Sequence, residues 1–161
     1  PPHRRPETCL RGPTMPHIKI AFRLTPEQSG HPSITAETMW AQQISPRRAV
    51  IDNIPFYTRQ AALHDVVEFR EADGQLWYTR TARKSGHSLI RVVFFDQARL
   101  QPLRNELRRL GCPSEAAGFS PLIAVDVPVE TDYGPVHREL ERGFAAEWWD
   151  YEEAILRHKF G

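Results

Sequence analysis

The sequence predicts an α+β protein: a small antiparallel β-barrel-like unit of SH3 or OB type over residues 17–86, then a ferredoxin-like split β-α-β unit over 87–161. Three observations predict it. Short extended segments separated by turn residues every ~8–12 positions fill the stretch from 18 to 85. Leu100, Leu103, Leu107 and Leu110 recur at helical spacing. The order of patterns around that leucine stripe is strand, helix, strands, helix and a final short segment, the arrangement of a split β-α-β unit.

Each element follows from local chemistry. Ile18, Ile20, Phe22 and Leu24 alternate with Lys19 and Arg23, which reads as a half-buried strand. Pro26, Gly30 and Pro32 interrupt it, and an extended segment containing Trp40 resumes over Ile34 to Ile44. Pro46 marks a turn before the short strand Ala49-Val50-Ile51, and Asp52-Asn53-Ile54-Pro55-Phe56 is a rigid connection. A strand over His64 to Arg70 joins Leu76-Trp77-Tyr78-Thr79 through Asp73-Gly74, a pair that tolerates positive φ and therefore a tight hairpin. Ser88 to Phe95 is a nearly continuous apolar strand. The leucine helix follows and ends at Gly111. Leu122 to Pro128 is another strand, and Asp132 caps a second helix with Pro135 in its first turn and Tyr133, Val136 and Leu140 on its buried stripe. Gly143 is expected to stop that helix. Glu147 to Tyr151 is either an edge strand or the start of a terminal helix through Leu156.

Residues 1–16 carry five of the 14 prolines, with Arg4, Arg5 and Arg11 against Glu7. So few apolar anchors cannot offset ordering entropy, and a disordered extension before Met15 is expected. The whole chain has 161 residues and 18.6 kDa, with 21 Lys and Arg against 20 Asp and Glu, so net charge gives no global pull toward nucleic acid or anionic lipid. No run approaches a membrane-spanning length, and the first residues lack the apolar core of a secretory signal. Two cysteines, Cys9 and Cys112, make no disulfide framework, so a reducing cytoplasm fits best.

His87 in Ser85-Gly86-His87-Ser88 is the leading catalytic candidate, since an imidazole flanked by hydroxyls can act near neutral pH. It needs Ser85 or Ser88 as nucleophile and Asp52 or Asp65 as orienting acid, which the fold must bring together. A solvated or backbone-bonded turn histidine is the preferred reading, and Asp52-Asn53 is better explained as turn architecture than as a site. The seven histidines are scattered without ligand spacing, Cys112 has no adjacent base, and neither glycine-rich nucleotide signature occurs. No metal or other cofactor is expected. Arg99, Arg104, Arg108 and Arg109 with Trp77, Tyr78, Phe94 and Phe95 raise an RNA-binding reading, but a solvated helix face and buried rings explain them better. Trp148, Trp149, Tyr151 and Glu152, with Asn53, are the candidate partner-binding residues, because large aromatics with a polar rim form protein anchors.

Together, Ala36-Glu37-Thr38-Met39-Trp40-Ala41, Ile51-Asp52-Asn53-Ile54-Pro55-Phe56, Asp65-Val66-Val67, Ser85-Gly86-His87-Ser88, Ala124-Val125-Asp126-Val127-Pro128 and Trp149-Asp150-Tyr151-Glu152-Glu153 resemble the bacterial domain-of-unknown-function family DUF4265 over roughly Ile18 to Leu156. The resemblance implies a bacterial, cytoplasmic protein and transfers no catalytic residue. The expectation is thus a non-enzymatic factor that binds another protein in an immunity, accessory or regulatory role. The alternatives are a hydrolase-like enzyme using His87 in an inter-unit cleft and, third, a nucleic-acid-binding module. Homodimerisation is left open, and no membrane partner is expected.

Overall fold

The computed structural model describes residues 15–118 and 120–159. The extension expected over 1–16 falls, apart from Met15 and Pro16, outside the described residues, as does Cys9.

The architecture is α+β, built mostly of antiparallel strands. Five strands form a closed barrel in sequential order: β1 His17–Arg23, β2 Ala36–Ser45, β3 Arg48–Ile51, β4 Val66–Ala72 and β5 Gln75–Arg83. Consecutive strands pair antiparallel, and a parallel contact of Ala21 with Trp77 closes the ring. The alternation in β1 has its expected meaning, with Ile20 and Phe22 inside beside Met39, Ile51, Val67 and Phe69. A one-turn helix, α1 Pro26–Ser29, follows β1, capped by Thr25 and Gln28. The β4–β5 hairpin turns at Asp73 and Gly74, both with positive φ. The strand expected from His64 begins only at Val66, because His64 has φ +65° and turns the chain.

The second sheet contains β6 Ser88–Phe94, β7 Ser114–Ala116, β8 Leu122–Val127 and β9 Trp149–Ile155, all antiparallel in the order β7-β8-β6-β9. Helices α2 Leu100–Arg109 and α3 Tyr133–Ala145 cover one face. Leu103 and Leu107 from α2 and Tyr133, Val136 and Leu140 from α3 meet Ile90, Val92, Ile123 and Val125 in the larger core. Asp132 caps α3 by accepting from the Gly134 N–H at 3.1 Å.

One expectation changes here. Gly143 does not stop α3, which runs to Ala145 and reverses through Glu147 at φ +60°. Glycine is required at 143 because the Trp149 ring lies directly on that backbone. Of the two alternatives for the terminal segment the edge strand is the one found: β9 lies at the sheet's edge and pairs with β6 along its length. On the sheet's other face, Leu89 and Ala124 pack against Ile54, Phe56 and Leu63 from the β3–β4 connection, which joins barrel to sheet.

Candidate functional site

Polar groups cluster where the β3–β4 connection crosses the sheet. Asp65 is fully buried and takes Arg157 in a bidentate pair, 2.7 and 2.8 Å. Its carboxylate also accepts from the N–H groups of Ser85 and Ala62. Burial opposes ionisation, but the Arg157 guanidinium and the two N–H donors outweigh it and hold the Asp65 carboxyl below its ordinary value. The Ser85 hydroxyl sits 2.7 Å from the Leu63 carbonyl and 2.9 Å from Asp65.

His87 has a different partner from those expected. Its Nδ1–H donates to the Asp126 carboxylate, 2.8 and 3.0 Å from the two oxygens. Asp126 is 2% exposed. Burial pushes its pKa up, against the opposing pull of His87 and His64. The His64 ring meets His87 edge-on at 5.2 Å between centroids. Gly86, at φ +89°, has no room for a side chain, since a Cβ would lie 2.8 Å from Val129.

The expected catalytic set is therefore divided among separate networks. Asp52 is exposed and holds His17 at 3.1 Å. Asp65 and Ser85 belong to the Arg157 pair. The buried Ser88 hydroxyl donates to His158 Nδ1 at 2.6 Å and accepts from the Arg157 N–H, while His158 Nε2–H donates to the Pro128 carbonyl. The physical reason lies in the segment after β9, which delivers Arg157 and His158 to Asp65 and Ser88. What results at His87 is a base with an orienting acid and neither serine bonded to its ring. Sequence reasoning missed Asp126, although a lone acid inside Leu122–Val127 was a visible anomaly: a buried charge needs a partner.

The proposed partner-binding residues also separate. Trp149 is 2% exposed and donates from Nε1 to the Leu140 carbonyl at 3.0 Å, so it belongs to the core and no partner can reach it. Trp148 lies half-buried between the guanidinium groups of Arg99, 3.6 Å from its ring centre, and Arg142, 5.1 Å away. Asn53 is structural, its Oδ1 accepting from the Trp40 N–H at 2.6 Å. Tyr151 bonds Glu141 of α3, and Glu152 pairs with Arg59 and Arg91. Phe95, expected to be buried, is 67% exposed.

Tyr151, Glu152 and Phe95 border a groove of about 400 Å³ between α1 and the open face of the second sheet. Register explains its floor. Val93 pairs with Leu122 on one side and Asp150 on the other, and Arg91 pairs with Ala124 and Glu152, so these side chains share the face away from the helices. Phe56, Val93, Phe95 and Leu122 supply apolar surface, and Glu27 and Asp150 supply acid. Arg91, at its edge, is 5% exposed. It donates to the Thr58 carbonyl and Glu152, and its Nε is buried without a hydrogen-bond partner. Burial pulls the Arg91 pKa down, countered by Glu152 and Glu37.

Among the described residues no group of three or more His, Cys, Asp or Glu could hold a metal ion, and no helix is long and apolar enough to cross a membrane. Cys112 is buried, and burial together with Asp126 pushes its thiol up to about 12.

A sequence model described as Domain of unknown function (DUF4265) matches residues 37–151. No curated protein matches. A crystal structure of a hypothetical protein from Neisseria gonorrhoeae is similar with a TM-score of 0.75 and 20% identity, over 89% of this chain and 97% of that one, which shows a common fold.

Proposed function

The chain belongs to the DUF4265 family of domains of unknown function, and from that premise we propose that it is a bacterial, cytoplasmic, non-enzymatic factor that binds another protein in an immunity, accessory or regulatory role. Its occupant is a basic, apolar segment of the partner, held in the groove between α1 and the second sheet. One observation carries the reading: a 67% exposed Phe95 beside Val93 on a concave apolar floor, rimmed by Glu27 and Asp150. Aromatic anchors on a preformed concave surface supply most interface energy, and the acids select a cationic partner. Of the sequence candidates, Tyr151 and Glu152 remain in this role.

The finer fold reading is proposed with it, the division falling at 86/87. Sequential strand order favours an SH3-like barrel over the Greek-key OB arrangement. For the second unit, the order β7-β8-β6-β9 with both helices on one face supports the ferredoxin-like reading.

The hydrolase-like alternative keeps one favouring observation, the His87–Asp126 pair, an orienting acid on a base. It ranks second because each nearby serine hydroxyl is engaged elsewhere.

The test uses fluorescein-labelled decapeptides of alternating Leu and Arg, alternating Leu and Glu, and alternating Ser and Arg, titrated against the full chain by anisotropy. The Leu/Arg peptide should bind best, and Phe95→Ala or the pair Glu27→Lys with Asp150→Lys should weaken it at least tenfold. Equal binding of all three peptides, or no effect of either change, refutes the reading.

A further inference from the structure

The outer wall of the barrel around β1 interleaves cations with indole rings. β1 turns Lys19 and Arg23 outward, because Ile20 and Phe22 fill the core. Lys19 pairs with Trp40 of β2, and its ammonium lies 4.8 Å from the ring centre. On the other flank Trp77 of β5 pairs with Ala21, and the Arg23 guanidinium stacks 4.0 Å from the Trp77 ring centre. Arg70 of β4 is the direct cross-strand neighbour of Trp77.

Among the described residues Lys19, Arg23 and Arg70 make no ion pair, in contrast to Arg48 and Arg80 on the same barrel, which both hold Glu68. Trp40 is 45% exposed, its ring beside the His17 ring at 5.9 Å between centroids. We infer that this wall binds single-stranded nucleic acid, with the exposed Trp40 ring and the guanidinium plane of Arg23 backed by Trp77 as stacking platforms for bases, and Lys19, Arg23 and Arg70 contacting the phosphates. A single strand presents the two features the wall can meet: unpaired π-faces at every base and a regular line of negative charge. A duplex hides its base faces, and an acidic protein segment offers charge without rings to stack. The wall reads no hydrogen-bonding edge, so recognition is sequence-tolerant.

The experiment is a fluorescence anisotropy titration of the full chain with labelled 12-nucleotide oligo(rU), oligo(dT), a 12-base-pair duplex and a poly-Glu peptide. Either single strand should bind more tightly than the duplex and the peptide, and a preference between oligo(rU) and oligo(dT) identifies which source is used. The log–log salt slope should be about −2, from three phosphates at ~0.7 each. Trp40→Ala and Trp77→Ala should each lose roughly 5–150-fold, the loss of one stacked base at ~1–3 kcal/mol. Trp77→Phe should retain most of the affinity, and Arg23→Gln should flatten the salt slope. If an Ala variant loses its native circular dichroism, Trp77→Phe with Lys19→Gln and Arg23→Gln carries the same comparison. Phe95→Ala should leave oligonucleotide binding unchanged, which separates this surface from the peptide groove. Absence of single-strand binding, tighter binding of poly-Glu, or binding indifferent to the tryptophan and cation substitutions overturns the inference.

Discussion

Substituting Gly143 by Ala adds one methyl group and should be among the most damaging small changes available to this chain. Glycine in a helix interior normally costs ~1 kcal/mol relative to alanine, so helix propensity alone predicts stabilisation. The structure predicts the reverse. A Cβ at 143 would lie far inside 3.0 Å of Cζ2, Cε2 and Cη2 of Trp149. Ordinary carbon separations are ~3.5–4.0 Å, so the ring must retreat by on the order of an ångström or more. It is held by its hydrogen bond to the Leu140 carbonyl and by its T-shaped contact with Phe94 at 5.8 Å. Overpacking strain of ~1–3 kcal/mol and a lost hydrogen bond of ~1 kcal/mol, less the propensity gain of ~1 kcal/mol, leave about 1–3 kcal/mol of net destabilisation. Urea unfolding followed by Trp fluorescence and circular dichroism measures it. The double variant Gly143→Ala with Trp149→Ala is the control, because removing the ring removes the clash and the alanine should then stabilise relative to Trp149→Ala alone. A Gly143→Ala protein as stable as the parent, or additive effects in the double variant, would refute the argument.

Two further outcomes concern the junction. Asp65 is held below its ordinary value, so its contribution to stability is present above the unfolded value of about 4 and is lost as pH falls through the folded value. Asp65→Asn should cost about 3 kcal/mol at pH 7 by stranding Arg157, and should flatten the acid limb of a plot of urea midpoint against pH; a limb identical to the parent's would count against the pair. Asp126 is raised instead, so its ionisation opposes folding above the unfolded value and that penalty disappears as pH falls through the folded value. His87→Ala removes its partner and should destabilise by about 1–3 kcal/mol, more where Asp126 is ionised than where it is protonated, with Asp126→Asn added to it removing that difference. Leu/Arg peptide binding should survive His87→Ala, and its loss would favour the alternative centred on His87.

Elements governed by local periodicity were legible in the sequence. The alternation in β1, the Asp73-Gly74 turn, the leucine stripe of α2 and the Asp132 cap of α3 each depend on residues a few positions apart. Gly143 was misread because its role depends on Trp149, which approaches through tertiary packing, and a glycine near a helix end ordinarily signals a stop. His64 likewise begins no strand, because the connection bends there to bury Asp65. Side-chain partners were the least legible. His87 and Asp126 are 39 positions apart, and Asp65 and Arg157 are 92 apart. An acid in an apolar strand announces that it needs a partner, but several histidines and arginines could have answered it.

The connection between β3 and β4 explains why a groove exists where it does. An irregular segment that crosses a sheet must satisfy its backbone polar groups without a ladder. Here side chains from three strands, one turn and the connection itself do so. Glu37 accepts from the N–H groups of Phe56, Tyr57 and Thr58, and Arg91 donates to the Thr58 carbonyl. Tyr78 and Thr81 reach the Gln60 carbonyl, Ser85 reaches Leu63, and Asp65 accepts from Ala62. So fastened, the segment lays Ile54, Phe56 and Leu63 over Leu89 and Ala124. Its cover ends near Arg91, whose side chain is committed to Thr58 and Glu152 and cannot extend over the next outward residue of β6. Val93 and then Phe95 are left uncovered by that geometry. Removing Arg91 would change the edge of this cover, since it takes away the donor to the Thr58 carbonyl and to Glu152. The shape of the groove is therefore tied to the same hydrogen bonds that hold the barrel on the sheet.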